Sequence, residues 1–365
     1  MTRMYLLAAS ALAAAFPAAA QQNVQPNVQL YGRLNVGIEA LHSSGTGDNL
    51  QRLSNNRSVI GFRGTEDLGG GWQALFQVEG TLSPDTGAGS IAARDTRVGI
   101  QGPWGTLFGG NWTLPYNSAT SALDPFYPTT AGYMSLMGNG SAPTESNTSN
   151  TYSFDRRQQN SVHYWTPNWN GWSLRVARGM GEERPASGAR PSLTSAALIY
   201  DSGPLYGTFA HEDHHDYQGR GLSDRGSKLA LAWRVDSATQ LAAAVESLRY
   251  ETATGDLRRR TVYVSATRQF GRHGLRFGLA HAQNASGSAV ETIGSVRAGP
   301  GTGATHATVG YDYLLSKRSS LFAYYTRLDN GRNGVADFAI NSLGRAVDTP
   351  GSTLSGVVLG MRHNF

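Results

Sequence analysis

The chain has 365 residues, no cysteine, 45 glycines and a formal net charge of +5. Without cysteine there is neither a disulfide framework nor a thiolate metal site, and past residue 20 no stretch approaches the ~18 apolar residues of a membrane-spanning helix. The basic balance suits an anionic surface or solute; nucleic acid is disfavoured, because the Lys and Arg residues are dispersed and the chain reads as exported.

Met1 to Ala20 opens with Arg3, runs through an apolar stretch from Tyr5 to Phe16 and closes on Ala18, Ala19 and Ala20. A basic start, a short apolar core and a small-residue end predict a cleaved secretory signal peptide over 1–20. No composition break follows, so 21–365 reads as one domain.

Alternation of apolar and polar residues then recurs along the whole chain. Over Val28 to Ala40, Val28, Leu30, Leu34, Val36 and Ile38 share one face, with Arg33, Asn35 and Glu39 on the other. Arg57 to Asp67 follows, then Trp72 to Leu82, where Trp72, Ala74, Phe76 and Val78 oppose Gln73, Gln77 and Glu79. The next expected strands are Arg94–Gln101, Thr106–Thr113, Asn160–Thr166, Trp172–Gly179, Leu193–Tyr200 and Tyr206–His214. Ser227–Val235, Gln240–Tyr250, Thr261–Phe270, Leu275–Gln283, Ala304–Leu315, Ser320–Leu328 and Thr353–Phe365 complete sixteen. In the last of these, Val357, Leu359, Met361 and Phe365 share one parity over about ten residues, the length of one tilted bilayer crossing. A barrel closes its last strand on its first, which gives a strand ending on Phe365 a place to stop.

Short turns, such as Asp67–Gly71, Asp201–Leu205 and Ser316–Ser319, alternate with long polar loops, such as Leu41–Asn56, Ala285–Gly303 and Asp329–Ser352. That rhythm predicts an all-β fold, a 16-stranded antiparallel transmembrane β-barrel. The stretch Leu114 to Gln159 is too long for an ordinary connection and carries Asp124, Pro125, Phe126, Tyr127 and Pro128. Such loops are usually functional, and the lumen of a wide barrel is the natural place for this one. Trp72, Trp104, Trp165, Trp169 and Trp172 lie in or beside short turns, which predicts an interfacial girdle.

Six segments carry a family resemblance. They are L-Y-G-R-L-N-V-G at Leu30–Gly37, I-G-F-R-G-T-E-D-L-G-G-G-W at Ile60–Trp72 and R-V-G-I-Q-G-P-W-G-T-L-F-G-G at Arg97–Gly110. N-S-V-H-Y-W-T-P at Asn160–Pro167, V-G-Y-D-Y-L-L-S-K-R-S at Val309–Ser319 and G-M-R-H-N-F at Gly360–Phe365 follow in order. The chain resembles a Gram-negative general porin of the β-proteobacterial type, over nearly all of its length past residue 20. The resemblance implies a homotrimer in the outer membrane, an inward-folded third long loop, and contact with outer-membrane lipid, including lipopolysaccharide. It also implies that the outer-membrane assembly machinery reads Phe365. Three positions depart from the family pattern. Gly110 and Asn111 stand where an Arg is common, and so do His163 and Val59.

The pore-lining residues follow from the apolar-out rule. It puts Arg33, Arg57 and Arg63 on the lumen face, with Arg156 and Arg157 where the long loop rejoins the wall. Alternation turns Arg97 inward, whereas the resemblance favours Arg94; both stay open, with Arg94 the preferred choice. A ring of arginines favours anions, and Asp124 on the loop is the expected facing charge. The run His211–Asp216 is rich in metal-type ligands, but strand alternation splits it between two faces. No Gly-x-Ser-x-Gly elbow and no phosphate-loop spacing occurs, so no catalytic residue, metal or cofactor is expected. Passive diffusion of small hydrophilic, preferably anionic, solutes is the leading function. An outer-membrane barrel enzyme and a secreted β-rich binding or adhesion protein are the rivals.

Overall fold

The computed structural model describes residues 27–145, 147–344 and 349–365. The expected signal peptide over 1–20 lies outside the described residues. Sixteen antiparallel strands form the wall. They are β1 Asn27–Ser43, β2 in two pieces (Asn49–Asn55 and Ser58–Gly69), β3 Trp72–Ser83, β4 Thr96–Gly102, β5 Gly105–Thr113, β6 Arg156–Trp165, β7 Trp172–Gly179 and β8 Ser192–Ser202. β9 Leu205–His215, β10 Ser223–Arg234, β11 Thr239–Glu251, β12 Asp256–Phe270, β13 His273–Ala282, β14 Ala304–Leu314, β15 Ser319–Asn330 and β16 Thr353–Asn364 complete it. Ala88–Ser90, Ala142–Glu145 and Ser286–Gly287 are short strand pieces beside their neighbours. Closure comes from β16, which pairs with β15 on one side and β1 on the other, with Arg33 opposite Asn364 and Ser43 opposite Leu354.

Every strand expected from alternation is present, within a few residues at each end. One expected loop is not. Residues 41–56 form the upper part of a hairpin, with Val36 opposite Asn55 and His42 opposite Asn49. Alternation weakens there because polar residues, such as Gln51 and Arg52, fall on both faces between Leu50 and Leu53. Arg57, with φ of 56°, takes the left-handed conformation where β2 is interrupted.

Side-chain parity separates two environments. On β11, Leu241, Val245 and their like point out and are exposed, whereas Ala242, Ala244, Glu246, Leu248 and Tyr250 point in and are buried. The buried inward side of β8–β13 is unusually small: Ala197, Ala210, Ala230, Ala232, Ala280 and Ala282 all lie on it. Alanine leaves room at the wall, and the long loop occupies that room. Trp104, Trp169 and Trp172 are exposed. Trp165 is not part of a girdle; it pairs with Arg175 on the lumen face.

Candidate pore constriction

The long loop leaves β5 through a short helix, Pro115–Ser118, and passes three 3-10 turns, Ser121–Leu123, Tyr133–Ser135 and Met137–Asn139. It is fixed to the inner wall by polar contacts that are themselves buried. Glu246 on β11 accepts from Tyr116 Oη at 2.8 Å and from Gly138 N at 2.8 Å. Lys228 on β10 donates to Asp155 at 2.8 Å and lies 4.0 Å from the centre of the Tyr116 ring. Arg259 on β12 donates to Leu136 O at 2.7 Å, Ser265 to Leu123 O at 2.8 Å, and Thr308 on β14 to Ala131 O at 2.9 Å. Buried polar groups need such partners, since an unmade bond costs ~1–3 kcal/mol each. The loop therefore fills the β8–β14 side of the barrel and leaves an aperture against the opposite wall.

That aperture is a cavity of about 470 Å³. Arg33, Arg94, Arg157 and Arg175 border it, with Glu79 and Asp95 as its carboxylates, and the loop contributes Asn117, Ser118, Ser121 and Tyr127. The two acids are each engaged by a guanidinium: Arg94 Nε to Glu79 at 2.8 Å and Arg157 Nε to Asp95 at 2.6 Å. Arg33 donates to Arg57 O at 2.9 Å, and Arg175 stacks over Trp165 at 4.8 Å. Neither has a carboxylate within ion-pair distance among the described residues. Arg57 reaches across to the loop, where Nη1 meets Tyr127 Oη at 3.4 Å and Nη2 meets Ser141. Burial alone would raise the Tyr127 phenol, but the guanidiniums of Arg57, Arg94 and Arg157 outweigh it and hold the phenol below its ordinary range. The local field at the aperture is positive.

The expected residues distribute unevenly. Arg33, Arg57 and Arg94 converge on the aperture or its loop edge. Arg63 faces the lumen but sits nearer the short turns, bonded to Gln29 at 2.9 Å and stacked over Tyr31 at 5.0 Å. Arg156 is fully buried between loop and wall, donating to Asn150 O at 3.1 Å with its guanidinium over Tyr217 at 5.2 Å; its neighbour Arg157 borders the aperture instead. Asp124 does not face the arginines across the aperture. Its oxygens accept from Phe126 N at 3.0 Å, Tyr133 N at 2.9 Å and Tyr263 Oη at 3.3 Å. Burial raises its carboxyl to about 7 against the lowering effect of those bonds.

Arg97 also points inward, so the choice between it and Arg94 is not exclusive. Its guanidinium lies 4.7 Å from Phe108, 4.3 Å from Trp112 and 5.1 Å from Trp165. Arg94 precedes β4, outside the ladder, and reaches the lumen independently of strand parity. His163 stacks on Phe108 at 4.7 Å beneath this group. Arg175 was legible by the same rule that found Arg33, since Leu174 and Val176 flank it outward. Phe365 meets Gly32 through paired backbone bonds of 3.0 Å in both directions, and its ring lies over the glycine. In the His211–Asp216 run, His211 pairs with Asp213 at 2.9 Å on the outer face, and His214 with Glu212 at 2.8 Å on the inner.

Comparison with known proteins adds the family. A profile described as Gram-negative porin matches residues 7–333. Outer membrane porin protein 32 of Delftia acidovorans is 25% identical over 99% of both chains. An outer membrane porin protein of Bordetella pertussis is 30% identical over 47% of this chain and 46% of its own. Among solved structures, an anion-selective porin from Comamonas acidovorans superposes with a TM-score of 0.78 at 20% identity, covering 93% of this chain and all of the other. OmpT of Vibrio cholerae does so with a TM-score of 0.67 at 13% identity, covering 93% of this chain and 97% of its own.

Proposed function

The chain belongs to the Gram-negative porin family, and from that premise we propose that it is an outer-membrane diffusion channel that prefers small hydrophilic anions. The observation that carries the preference is the charge around the aperture: Arg33 and Arg175 border it and Arg57 bonds to Tyr127 at its loop edge, all three with no carboxylate within ion-pair distance among the described residues, and the loop residues that line it are uncharged. Fixed positive charge in a narrow aqueous passage stabilises anions and raises the barrier for cations. The Comamonas porin of like fold is described as anion-selective, which points the same way. The zero-current potential of the reconstituted protein under a salt gradient tests it. An anion-permeable sign at about 0.1 M salt, weakening as the screening length shrinks, is expected; a cation-selective pore overturns it.

Residues 1–20 would be removed on export, and mature chains would assemble as homotrimers among lipopolysaccharide and other outer-membrane lipids. Phe365 would present the strand end that the assembly machinery reads. Glycines on the outer face of the first strands do not all leave room for a neighbouring subunit. A Cβ on Gly32 would lie 2.3 Å from the Phe365 ring, and one on Gly64 2.6 Å from Phe76, so those glycines are filled from within the same chain. Light scattering in mild detergent, giving three chains per particle, is the expected result.

A further inference from the structure

The outer wall of β9 and β10 carries a hydrogen-bonded group that conduction does not use. His211 stands directly opposite Ser227 across the two strands, and both side chains lie on the outward parity. His211 Nδ1 meets Ser227 Oγ at 2.8 Å, and His211 Nε2 meets Asp213 Oδ2 at 2.9 Å. The other oxygen of Asp213 lies 3.3 Å from Arg225 Nε. A carboxylate only accepts, so the ring turns Nε2–H toward Asp213 and presents its Nδ1 lone pair to the serine. The Ser227 hydroxyl then donates to a base that a carboxylate orients. Those are the distances and the roles of an activated serine nucleophile, which is defined by geometry and not by position in the chain. No short motif marks the group, because serine and histidine are 16 residues apart on different strands.

The surroundings supply what such a nucleophile needs. The side chains of His211 and Asp213 are 37% and 28% exposed, so the group is open to the membrane side. Ser227 borders a groove of about 330 Å³ whose apolar wall is made by Phe209, Leu229, Val245 and Val262. These four lie in one cross-strand row, exposed toward the membrane. One outward row nearer the long loops, Ser227 stands opposite Ser247, and Ser247 opposite Arg260. Both border the same groove, and both donate hydrogen bonds, as an oxyanion requires. The row from His211 to Arg260 is thus the first polar one beyond the apolar row. On a barrel wall that change marks where hydrocarbon gives way to headgroups, the level at which the ester carbonyls of membrane lipids lie.

We propose that Ser227, His211 and Asp213 form a hydrolase site for the acyl esters of membrane lipids, with the acyl chain in the groove. Ser227 Oγ attacks the ester carbonyl carbon while His211 Nδ1 takes the hydroxyl proton. The carbonyl oxygen becomes an oxyanion, met by Ser247 and Arg260. Its collapse breaks the ester C–O bond, and the departing alcohol takes the proton from His211, leaving the acyl chain on Ser227. Water then attacks the acyl carbon, giving its proton to His211, which returns it to Ser227 Oγ as the fatty acid leaves. Water is the one co-reactant. Asp213 is a positioning residue, which holds the ring and stabilises its charged form. The activity is additional to diffusion through the barrel. It rests on the outer-membrane placement and not on ion selectivity, so a cation-selective pore would leave it standing.

Two measurements on the purified protein in neutral detergent test it: release of decanoate from didecanoyl phosphatidylcholine in mixed micelles, and covalent labelling by a decyl fluorophosphonate. The label is expected on Ser227, located by peptide mass spectrometry. Decanoate release should fall about a hundredfold or more in Ser227→Ala and in His211→Phe, the scale of a lost nucleophile or general base. Asp213→Asn should slow both labelling and release, with Asp213→Glu recovering part of the loss. Unaltered single-channel conductance establishes that each variant folds, since none of these side chains faces the pore. No release by wild type, equal release by wild type and Ser227→Ala, or labelling confined to another serine overturns the proposal. The three side chains are then a polar cross-strand cluster only.

Discussion

Arg33 and Arg175 act on ions differently from Arg94 and Arg157, although all four border one cavity. The latter two are neutralised locally by Glu79 and Asp95. A single uncompensated charge about 8 Å from a passing ion, at an effective dielectric near 20, is worth ~2 kcal/mol unscreened and roughly 0.8 kcal/mol at a screening length of about 8 Å. Replacing Arg33 and Arg175 together by Ser should therefore reduce the anion-to-cation permeability ratio by roughly fifteenfold, about fourfold per charge, from the effect on the anion alone. Arg63→Ser, further toward the short turns, should change it much less. Reversal potentials of the three proteins compare these directly, and an unchanged ratio in the double variant would remove the uncompensated arginines as the filter. Asp124 makes a separate, pH-dependent contribution. Its carboxyl is raised by burial to about 7, above its value in an unfolded chain, so the stability that its protonation adds is fully present below about 4 and is lost as pH rises through about 7. Its neighbours are Tyr133, Tyr263 and Arg276. Amide protection over residues 124–136, corrected for intrinsic exchange, should be higher at about pH 5 than at about pH 8, and Asp124→Asn should flatten the difference.

The long loop holds its position through a few buried charges on β10 and β11. Glu246→Ala would strand Gly138 N and Tyr116 Oη and leave Lys228 with Asp155 as its carboxylate, beside Thr120. Breaking a buried polar cluster in this way costs ~3–5 kcal/mol, which is enough to release the neck of the loop from the wall. Larger and noisier single-channel currents are the expected outcome, with Glu246→Gln closer to wild type because it keeps one acceptor. Currents identical to wild type in the alanine variant would show that other contacts hold the loop. The closing strand is a second element with a specific dependence. The Phe365 ring covers Gly32 so closely that any side chain there must move it or the Val59 carbonyl. Overpacking of that kind costs ~1–3 kcal/mol. Gly32→Val should lower the yield of heat-resistant barrel seen on unheated gels, as Phe365→Asp should, while leaving the conductance of whatever assembles unaltered.

At the scale of the whole molecule, the barrel has two unlike halves. From β8 to β14 the inner face combines small alanines with buried polar groups, among them Glu212, Lys228, Glu246, Arg259, Ser265 and Thr308, and the loop rests on it. From β1 to β7 the inner face carries the arginines and the aromatic group around Arg97, and water and solute pass there. The outer face is apolar at mid-height and charged toward the long loops. These three surfaces have different tasks, and period-two alternation lets one strand serve two of them at once.

Alternation determined the strand count, the order, the closure of β16 on β1 and the inward face of Arg33, Arg63 and Arg97, because a bilayer on one side and water on the other impose opposite demands on successive residues; Arg57, at the interruption of β2, is turned inward by its loop partners instead. It also contained, unread, the inward Arg175 and the row of inward alanines that receives the loop. It could not place Arg94 or Asp124, which lie outside the ladder, or Arg157, which lies beyond the register shift between β5 and β6. There the direction of a side chain is set by which partner it finds, Glu79 for Arg94, Asp95 for Arg157 and the amides of Phe126 and Tyr133 for Asp124. Those partners lie up to 62 residues away along the chain, and only the closed barrel brings them together.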